Sequence, residues 1–221
     1  MIIKLRDYFS GSLGRKIAEA LDVGADEPFH EERLQRIWHL TLDTESANFL
    51  AELMHLPNLR SLHVINCWVE HLYALTKLKR LEALYLTNNL ISDLSPLAEL
   101  TNLVALDVSH NMVHDLKPLT SLTKLEQLYL SNNRVQELTG LSNLVHLQML
   151  DLEANRIRCI APLATLENLE ELNVAFNQVQ DFRPLDYCTK LENLYAGYGR
   201  RRKVRGDKDE HRRAESVRKR D

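Results

Sequence analysis

The sequence contains no long hydrophobic stretch, and no run approaches the roughly 18 apolar residues that a membrane-spanning helix needs. Charged residues, among them Lys4 and Arg6, stand where a secretory signal peptide would have its apolar segment. The cysteines Cys67, Cys159 and Cys188 are an odd, scattered set that does not suit a disulfide framework. These absences together predict a cytoplasmic protein, because thiols stay reduced in that compartment.

Basic residues are scarce in most of the chain. From Gly199 onward there are 11 Lys and Arg against 5 Asp and Glu, which leaves 17 basic and 26 acidic residues in the preceding body. A body with a net charge of −9 is poorly suited to nucleic acid. Nucleic-acid binding therefore remains open only for the basic tail.

What the sequence does contain is a leucine repeat with a period of 22 residues. The pattern is L-x-x-L-x-L-x-x-N-x-I-x-x-L-x-x-L-x-x-L, and seven full copies follow one another without insertion or deletion before a truncated eighth. The copies begin at Ile37, Leu59, Leu81, Leu103, Leu125, Leu147, Leu169 and Leu191. Positions within a copy are counted from 1 at these residues.

The spacing of the leucines predicts the structure of one copy. Positions 4 and 6 are two residues apart, as in a strand with one buried face. The later leucines, such as Leu94, Leu97 and Leu100, are three apart, as in a tight helical turn. One copy cannot bury its own apolar residues, so neighbouring copies must stack with their strands paired in parallel.

Asparagine occupies position 9 in five copies, and we interpret it as structural. The five residues are Asn89, Asn111, Asn133, Asn155 and Asn177. A buried amide carries donors and an acceptor, which satisfy backbone groups where the chain leaves the sheet. Cys67 takes this position in the second copy and should substitute in part, whereas Glu45 in the first copy predicts a looser turn.

The repeat resembles the 22-residue subclass of leucine-rich-repeat proteins. The phrases ISDLSPL at 91–97 and VHDLKPL at 113–119 are similar to bacterial internalin-type repeats. The segment before them fits as well, with an amphipathic helix expected from Leu13 to Val23 after an N-cap at Ser10 or Ser12. Phe29–Leu34 resembles the short second element that leads into the first strand of bacterial relatives.

The resemblance implies an α/β solenoid, a horseshoe with a concave parallel β-sheet, short 3-10 or helical convex segments and a helical N-terminal cap. We expect three parts: the cap at 1–36, the leucine-rich-repeat solenoid at 37–198 and a flexible basic tail at 199–221. Two departures stand out. Internalin-type proteins are usually exported, and no capping segment is visible after Leu191. Because this family binds many kinds of partner, the resemblance predicts fold more sharply than function.

The concave face should be formed by positions 3, 5 and 7, since the leucines between them point inward. These 24 positions contain five carboxylates, three tyrosines and no Lys or Arg. In the middle of position 5, Tyr85, Asp107, Tyr129 and Asp151 alternate on adjacent strands about 4.8 Å apart. Tyrosine offers rigid, amphipathic contact area, and carboxylates select cationic groups.

We therefore predict a bacterial, cytoplasmic, non-enzymatic scaffold that binds a cationic protein partner on its acidic, aromatic concave face. The alternative for the face is a solvated surface with incidental polar residues. The alternative for the protein is a nucleic-acid-associated adaptor that uses the basic C-terminal tail. The residues predicted to bind the partner are His63, Tyr85, Asp107, Tyr129, Asp151, Glu153, Glu171 and Tyr195.

No combination of residues predicts a cofactor, a metal or a catalytic site. His39, His63 and Asp43 lie near one another, but without the tight spacing of metal ligands. Strand alternation turns His110 away from Asp107 and Ser109, which excludes a catalytic triad. Asp151 and Glu153 share one face, but an open face should leave the pKa of each carboxyl at its ordinary value.

Two further surfaces remain open to interpretation. Arg134, Arg156 and Arg158 form a basic cluster on the flank, which is either a solvated ridge or an anion site. Phe176 and Tyr198 are either a second contact or packing that closes a turn. The tail could be solvated, could bind nucleic acid or another acidic surface, or could dock on protein, its own body included.

Overall fold

A computed structural model describes residues 1–24, 26–43, 47–197 and 200–203 of the chain. Two short strands, β1 (Ile2–Ile3) and β2 (Phe29–His30), pair in antiparallel fashion near the N-terminus. Between them runs one α-helix, α1 (Gly11–Leu21). Within the described ranges, no helix is long and apolar enough to cross a membrane.

The rest of the described chain is organised around a nine-stranded sheet whose strands follow one another in chain order. Eight of them are parallel, one from each copy, and each pairs with the residue 22 positions along the chain. The strands are β3 (His39–Asp43), β4 (Ser61–Ile65), β5 (Ala83–Tyr85), β6 (Ala105–Asp107), β7 (Gln127–Tyr129), β8 (Met149–Asp151), β9 (Glu171–Asn173), β10 (Asn193–Ala196) and β11 (Arg200–Lys203). The predicted solenoid with its parallel sheet is confirmed.

Short 3-10 helices return the chain on the outer side of each full copy, as the three-residue leucine spacing predicts. In the third copy, Leu97 N donates to Leu94 O and Leu100 N donates to Leu97 O, each over 2.9 Å. The outer segments are Ala47–His55, Tyr73–Lys77, Ser95–Glu99, Lys117–Ser121, Thr139–Leu141, Ala161–Thr165 and Arg183–Tyr187. The leucines of strand and turn form one continuous buried core between the two sides.

The position 9 asparagines hold the copies together. Asn133 Nδ2 donates to Leu130 O in its own copy and to Val108 O in the preceding copy, and its Oδ1 accepts from Val113 N at 2.9 Å. The same bonds recur at the other four asparagines of this position. Cys67 Sγ lies 3.2 Å from Ile65 O and 3.6 Å from Leu42 O, so its single S–H proton has these two carbonyls as acceptors and the thiol substitutes in part for the amide. Glu45 lies outside the described residues.

Helix α1 begins and ends two residues before the predicted span. Leu13, Ile17 and Leu21 lie on one face four residues apart and are buried in the core. Ser10 is the N-cap residue, but its hydroxyl donates to Glu52 Oε1 over 2.6 Å rather than capping the helix amides. A 3-10 helix at Glu31–Arg36 then leads from β2 toward β3.

The C-terminal edge of the parallel sheet is covered by the chain itself. Strand β11 pairs antiparallel with β10, with Tyr195 opposite Arg201 and Asn193 opposite Lys203. The leucine pattern shows no capping segment after Leu191, and residues 200–203 of the basic tail pair with this edge instead. A strand edge needs only backbone groups to pair, and the leucine pattern therefore carries no signal for it.

Candidate binding surface

Position 5 of every copy lies in one row across the sheet, because the strands pair in register. The row runs through Thr41, His63, Tyr85, Asp107, Tyr129, Asp151, Asn173 and Tyr195. From His63 onward these side chains are partly exposed on the concave face. The predicted adjacency of Tyr85, Asp107, Tyr129 and Asp151 is therefore confirmed as geometry.

Position 7 contributes less surface than the sequence predicted. Ser109, Ser131 and Ala175 are 6%, 9% and 1% exposed, so in these copies the position offers almost no surface to a partner. The chain turns off the sheet at this point, and the Asn133 amide bonds to the Ser131 carbonyl. Small side chains fit there because the turns stack closely. The accessible concave face consists mainly of positions 3 and 5.

A shallow depression of about 130 Å³ lies on the concave face over strands β7 to β10. It contains four of the predicted residues, Tyr129, Asp151, Glu171 and Tyr195. Its other lining residues, Met149, Leu150 and Asn173, were not among the predicted ones. Met149 and Asn173 stand in the same columns as the predicted residues, so their positions alone could have identified them. Two tyrosines thus flank a hollow that holds two carboxylates.

The electrostatics of this hollow centre on Asp151. Burial raises the pKa of Asp151 above its ordinary value, and the negative charges of Glu153 and Asp107 raise it further. A hydrogen bond from the Glu153 amide and one from Ser131 act in the opposite direction. The expectation that the open face leaves this carboxyl unperturbed is therefore wrong, because the tyrosines and the curved sheet partly desolvate it.

The tyrosine and the second carboxylate beside Asp151 are held by their own neighbours. The Tyr129 hydroxyl contacts Met149 Sδ at 3.6 Å. Burial raises the pKa of Tyr129, and the nearby Tyr85, Asp107, Glu171 and Asp151 add to the effect. Glu153 Oε2 accepts a hydrogen bond from Asn173 Nδ2 over 2.9 Å. This part of the face therefore disfavours further negative charge and favours a cation.

Three more of the predicted residues, His63, Tyr85 and Asp107, lie outside the depression on its N-terminal side. The His63 ring stacks on Tyr85 with centroids 4.2 Å apart, and the His39 ring meets His63 edge-on at 5.1 Å. Burial, and then the charge on His39, lower the pKa of His63. Asp107 accepts hydrogen bonds from Thr87 Oγ1 and Ser109 N. The structure thus places four of the eight predicted residues in the hollow and two in a neighbouring aromatic stack, whereas Asp107 and Glu153 belong to neither.

In the part of the chain that the structure describes, no side chains are arranged as a metal site or as a catalytic triad. No group of three or more His, Cys, Asp and Glu side chains there is arranged to hold a metal ion. The His39 ring nitrogens lie 3.1 Å from the hydroxyls of Ser61 and Thr41. Ser109 reaches Asp107 only through its backbone amide.

The flank beside the turns carries an apolar row that the sequence analysis missed. Trp68, Leu90 and Met112 occupy position 10 in successive copies, and Trp68 is 74% exposed. The row continues into Arg134 and Arg156 of the basic cluster. This column stands one place before the buried aliphatic residue at position 11, so it could be identified from the repeat alone. Of the other surface, Phe176 is half exposed and Tyr198 lies outside the described residues.

Comparison with known protein families adds a sequence relationship to this geometry. A family model described as leucine-rich repeats (2 copies) matches residues 101–143, 123–165 and 145–187. No curated protein matches the chain in sequence.

Solved structures add a relationship in fold. An internalin (InlF) from Listeria monocytogenes superposes with a TM-score of 0.82 at 28% identity, over 90% of this chain and 59% of that one. Internalin C2 from the same species gives 0.75 at 26% identity, over 88% and 97% of the two chains. A leucine-rich-repeat protein from Leptospira interrogans gives 0.70 at 24% identity, over 76% and 45%, and shares the fold alone. The chain thus spans about three fifths of InlF.

Proposed function

We propose that this chain, an internalin-like leucine-rich-repeat protein, binds a protein partner with a basic surface and performs no catalysis of its own. A fold of this kind supports a protein-interaction scaffold in general. The choice of the concave face and of a cationic partner is specific to this chain. It rests above all on the partly buried carboxyl of Asp151 in the depression between Tyr129 and Tyr195.

The charge distribution supports a cationic partner. A carboxylate whose pKa is raised by burial and by neighbouring carboxylates is stabilised when a positive group approaches it. Lys and Arg are absent from positions 3, 5 and 7 of all eight copies, so these columns contain no cation that could neutralise the charge. A guanidinium or ammonium group of a partner would do so, and it would also steer association at low ionic strength.

The tyrosines support a protein partner rather than a free ion. Tyrosine supplies a large contact area with little loss of side-chain freedom and is over-represented among residues that dominate binding energy. Tyr129 and Tyr195 stand three strands apart, about 14 Å, with Asp151 and Asn173 between them. This width suits one long basic side chain that enters between two aromatic contacts. A phosphate backbone would be repelled by the carboxylates of Asp151 and Glu171 here, so we do not propose nucleic acid for this face.

The test compares four baits of identical length in a pull-down with quantitative mass spectrometry: the unchanged chain, Tyr129→Ala with Asp151→Lys, Tyr129→Phe, and Arg156→Glu. A concave-face partner is retained by the unchanged chain, Tyr129→Phe and Arg156→Glu, and is depleted with the double variant. Circular dichroism confirms that all four baits are folded.

Calorimetry with the recovered partner then gives the size of the effect. The double variant should lose at least about 2 kcal/mol of binding free energy, which is roughly a thirtyfold loss of affinity. Arg156→Glu on the flank is the matched control for charge reversal and should change affinity by less than threefold. A folded double variant that binds as tightly as the unchanged chain contradicts the proposal and moves the interface to the flank.

A further inference from the structure

The basic C-terminal segment leaves the described fold next to a concentration of carboxylates. Strand β11 runs antiparallel to β10, and its last residue, Lys203, pairs with Asn193, the first residue of β10. The chain therefore continues from the end of the sheet at which the parallel strands begin. The segment 204–221 follows there, with its cations grouped as Arg212–Arg213 and Arg218–Arg220.

The residues that precede the last strands form an acidic rim at that same end of the sheet. We define the acidic rim as Glu126, Glu170, Glu171 and Glu192, at positions 2 and 3 of the last four copies. Backbone hydrogen bonds from Glu192 to Glu170, from Glu170 to Gln148 and from Gln148 to Glu126 keep position 2 in register across the strands. The nearby ammonium groups of Lys190 and Lys124 bond to Asn168 and Asn102, on the side of the preceding turns.

We propose that residues 204–221 fold back onto the acidic rim and the adjoining depression, so that the chain's own basic segment competes with an external cationic partner. The proposal rests on the proposed function in one respect, namely that the partner it excludes binds the same face. The contact itself involves only this chain and is measurable without any partner.

The reach of the segment is sufficient. Nine residues separate Lys203 from Arg212 and can span up to about 30 Å when extended. Four strand spacings, from β11 to β7, amount to about 19 Å. Both groups of cations can therefore lie over the rim or the depression without any change in the sheet.

Tethering favours the chain's own segment over a second copy. A single exposed ion pair contributes little, so several weak contacts must act together. A segment joined by a short linker experiences an effective concentration in the millimolar range, whereas a second copy at micromolar protein concentration offers about a thousandfold less. The acidic rim is thus largely occupied by the basic segment of its own chain and rarely by the segment of a second chain.

The contact can be mapped in the intact chain with a water-soluble carbodiimide, which joins a lysine amine to a carboxylate with loss of water. Lys208 and Lys219 are the lysines of the segment. In the monomer band, mass spectrometry should find them joined to rim carboxylates or Asp151, with a severalfold lower yield in 0.5 M salt. Equal yields on Glu99 and Glu137, which lie on an outer 3-10 helix and after the end of β7, or links confined to a dimer band, would overturn the proposal.

A binding measurement tests the competition separately, with a fluorescent peptide of residues 204–221 as the probe. The competitor-free protein is the full-length chain with Arg212, Arg213, Arg218, Lys219 and Arg220 all replaced by Gln. It should bind the peptide at least fivefold more tightly than the unchanged chain, by fluorescence anisotropy in low salt. Equal affinity of the two proteins for the peptide refutes the competition.

Charge reversal on the rim completes the design. In the competitor-free protein, Glu170→Lys with Glu171→Lys should weaken peptide binding at least tenfold. Glu137→Lys, at an exposed residue that follows β7 at the opposite end of the sheet, should change it less than twofold. Equal effects of the rim reversal and this control would place the peptide elsewhere and overturn the proposal. If the peptide binds as stated here, but a partner recovered by pull-down binds equally well after Asp151→Lys, the inference holds and the proposed function is wrong.

Discussion

The backbone amide of Glu153 donates a hydrogen bond to Asp151 Oδ1 over 3.0 Å, and yet the pKa of Asp151 is raised. Burial and the carboxylates of Glu153 and Asp107 outweigh that bond. The ionised carboxylate of Asp151 therefore lowers the stability of the fold, as is common for residues in ligand-binding sites. The predictions below test this balance and the repeat that supports it.

Asp151→Asn should stabilise the protein at pH 7, because the amide keeps an acceptor oxygen without the charge. The raised pKa means that the folded state binds the proton more tightly than the unfolded state. Between the ordinary and the raised pKa, stability of the unchanged chain should accordingly fall as pH rises. Urea unfolding of both proteins across the acidic range measures this, and a gain for the variant that does not grow with pH would contradict it.

Asn133→Ala should cost about 1–3 kcal/mol, because it leaves carbonyls of two copies and the Val113 amide without their partner in a buried place. Gln136→Ala is the control, since Gln136 is exposed and three residues away, and it should change stability by less than about 0.5 kcal/mol. Thermal melts of the two variants suffice. Similar losses for both would show that the amide bonds between copies contribute nothing particular.

Gly140→Ala should destabilise the solenoid by about 1–3 kcal/mol. A β-carbon at this position would lie 2.1 Å from the carbonyl oxygen of Leu116, a backbone atom that cannot swing aside. Gly24→Ala provides the comparison, because its β-carbon would meet only the Glu27 side chain at 3.4 Å or more. Denaturant midpoints should separate the two variants clearly, and an unchanged midpoint for Gly140→Ala would mean that the turn relaxes freely.

Two truncations should behave differently at the C-terminus. Removal of residues 206–221 should leave the melting temperature within a few degrees, since every strand and core residue that the structure describes is kept. Removal of residues 200–221 takes away β11 and exposes the edge of β10, which should lower the melting temperature by about 4 °C or more and promote self-association. Calorimetric scans and sedimentation velocity give both readouts. Identical melting and a shared monomeric state would show that β11 does not protect the edge.

The sequence predicted those features that depend on periodic burial. Leu106 and Leu128 pair across the sheet because their copies are 22 residues apart, and Asn133 bridges two copies because a buried amide must find partners. The row through Tyr85 and Tyr129 follows from the same register. Features that depend on local curvature and desolvation were not readable from it, which is why the burial of Ser131 and the raised pKa of Asp151 were not predicted.

Strand β11 escaped prediction for a different reason. Arg200–Lys203 has no apolar alternation, and its pairing with β10 uses backbone groups that every residue carries. The exposed Trp68 was not predicted, because position 10 lies outside the columns that form the concave face. Whether the eight concave residues bind a partner remains a prediction.

The residue types in the row at position 5 repeat with a different period from that of the buried leucines. The buried scaffold repeats every 22 residues, whereas the alternation of Tyr85, Asp107, Tyr129 and Asp151 repeats every 44. Loss or gain of one copy within this row would leave every leucine and asparagine junction unchanged, yet it would set two tyrosines or two aspartates side by side. Two copies gained together would lengthen the same surface by about 10 Å. Duplication of single copies can therefore change the length of this array, but only duplication of two copies together preserves the alternation of tyrosine and aspartate.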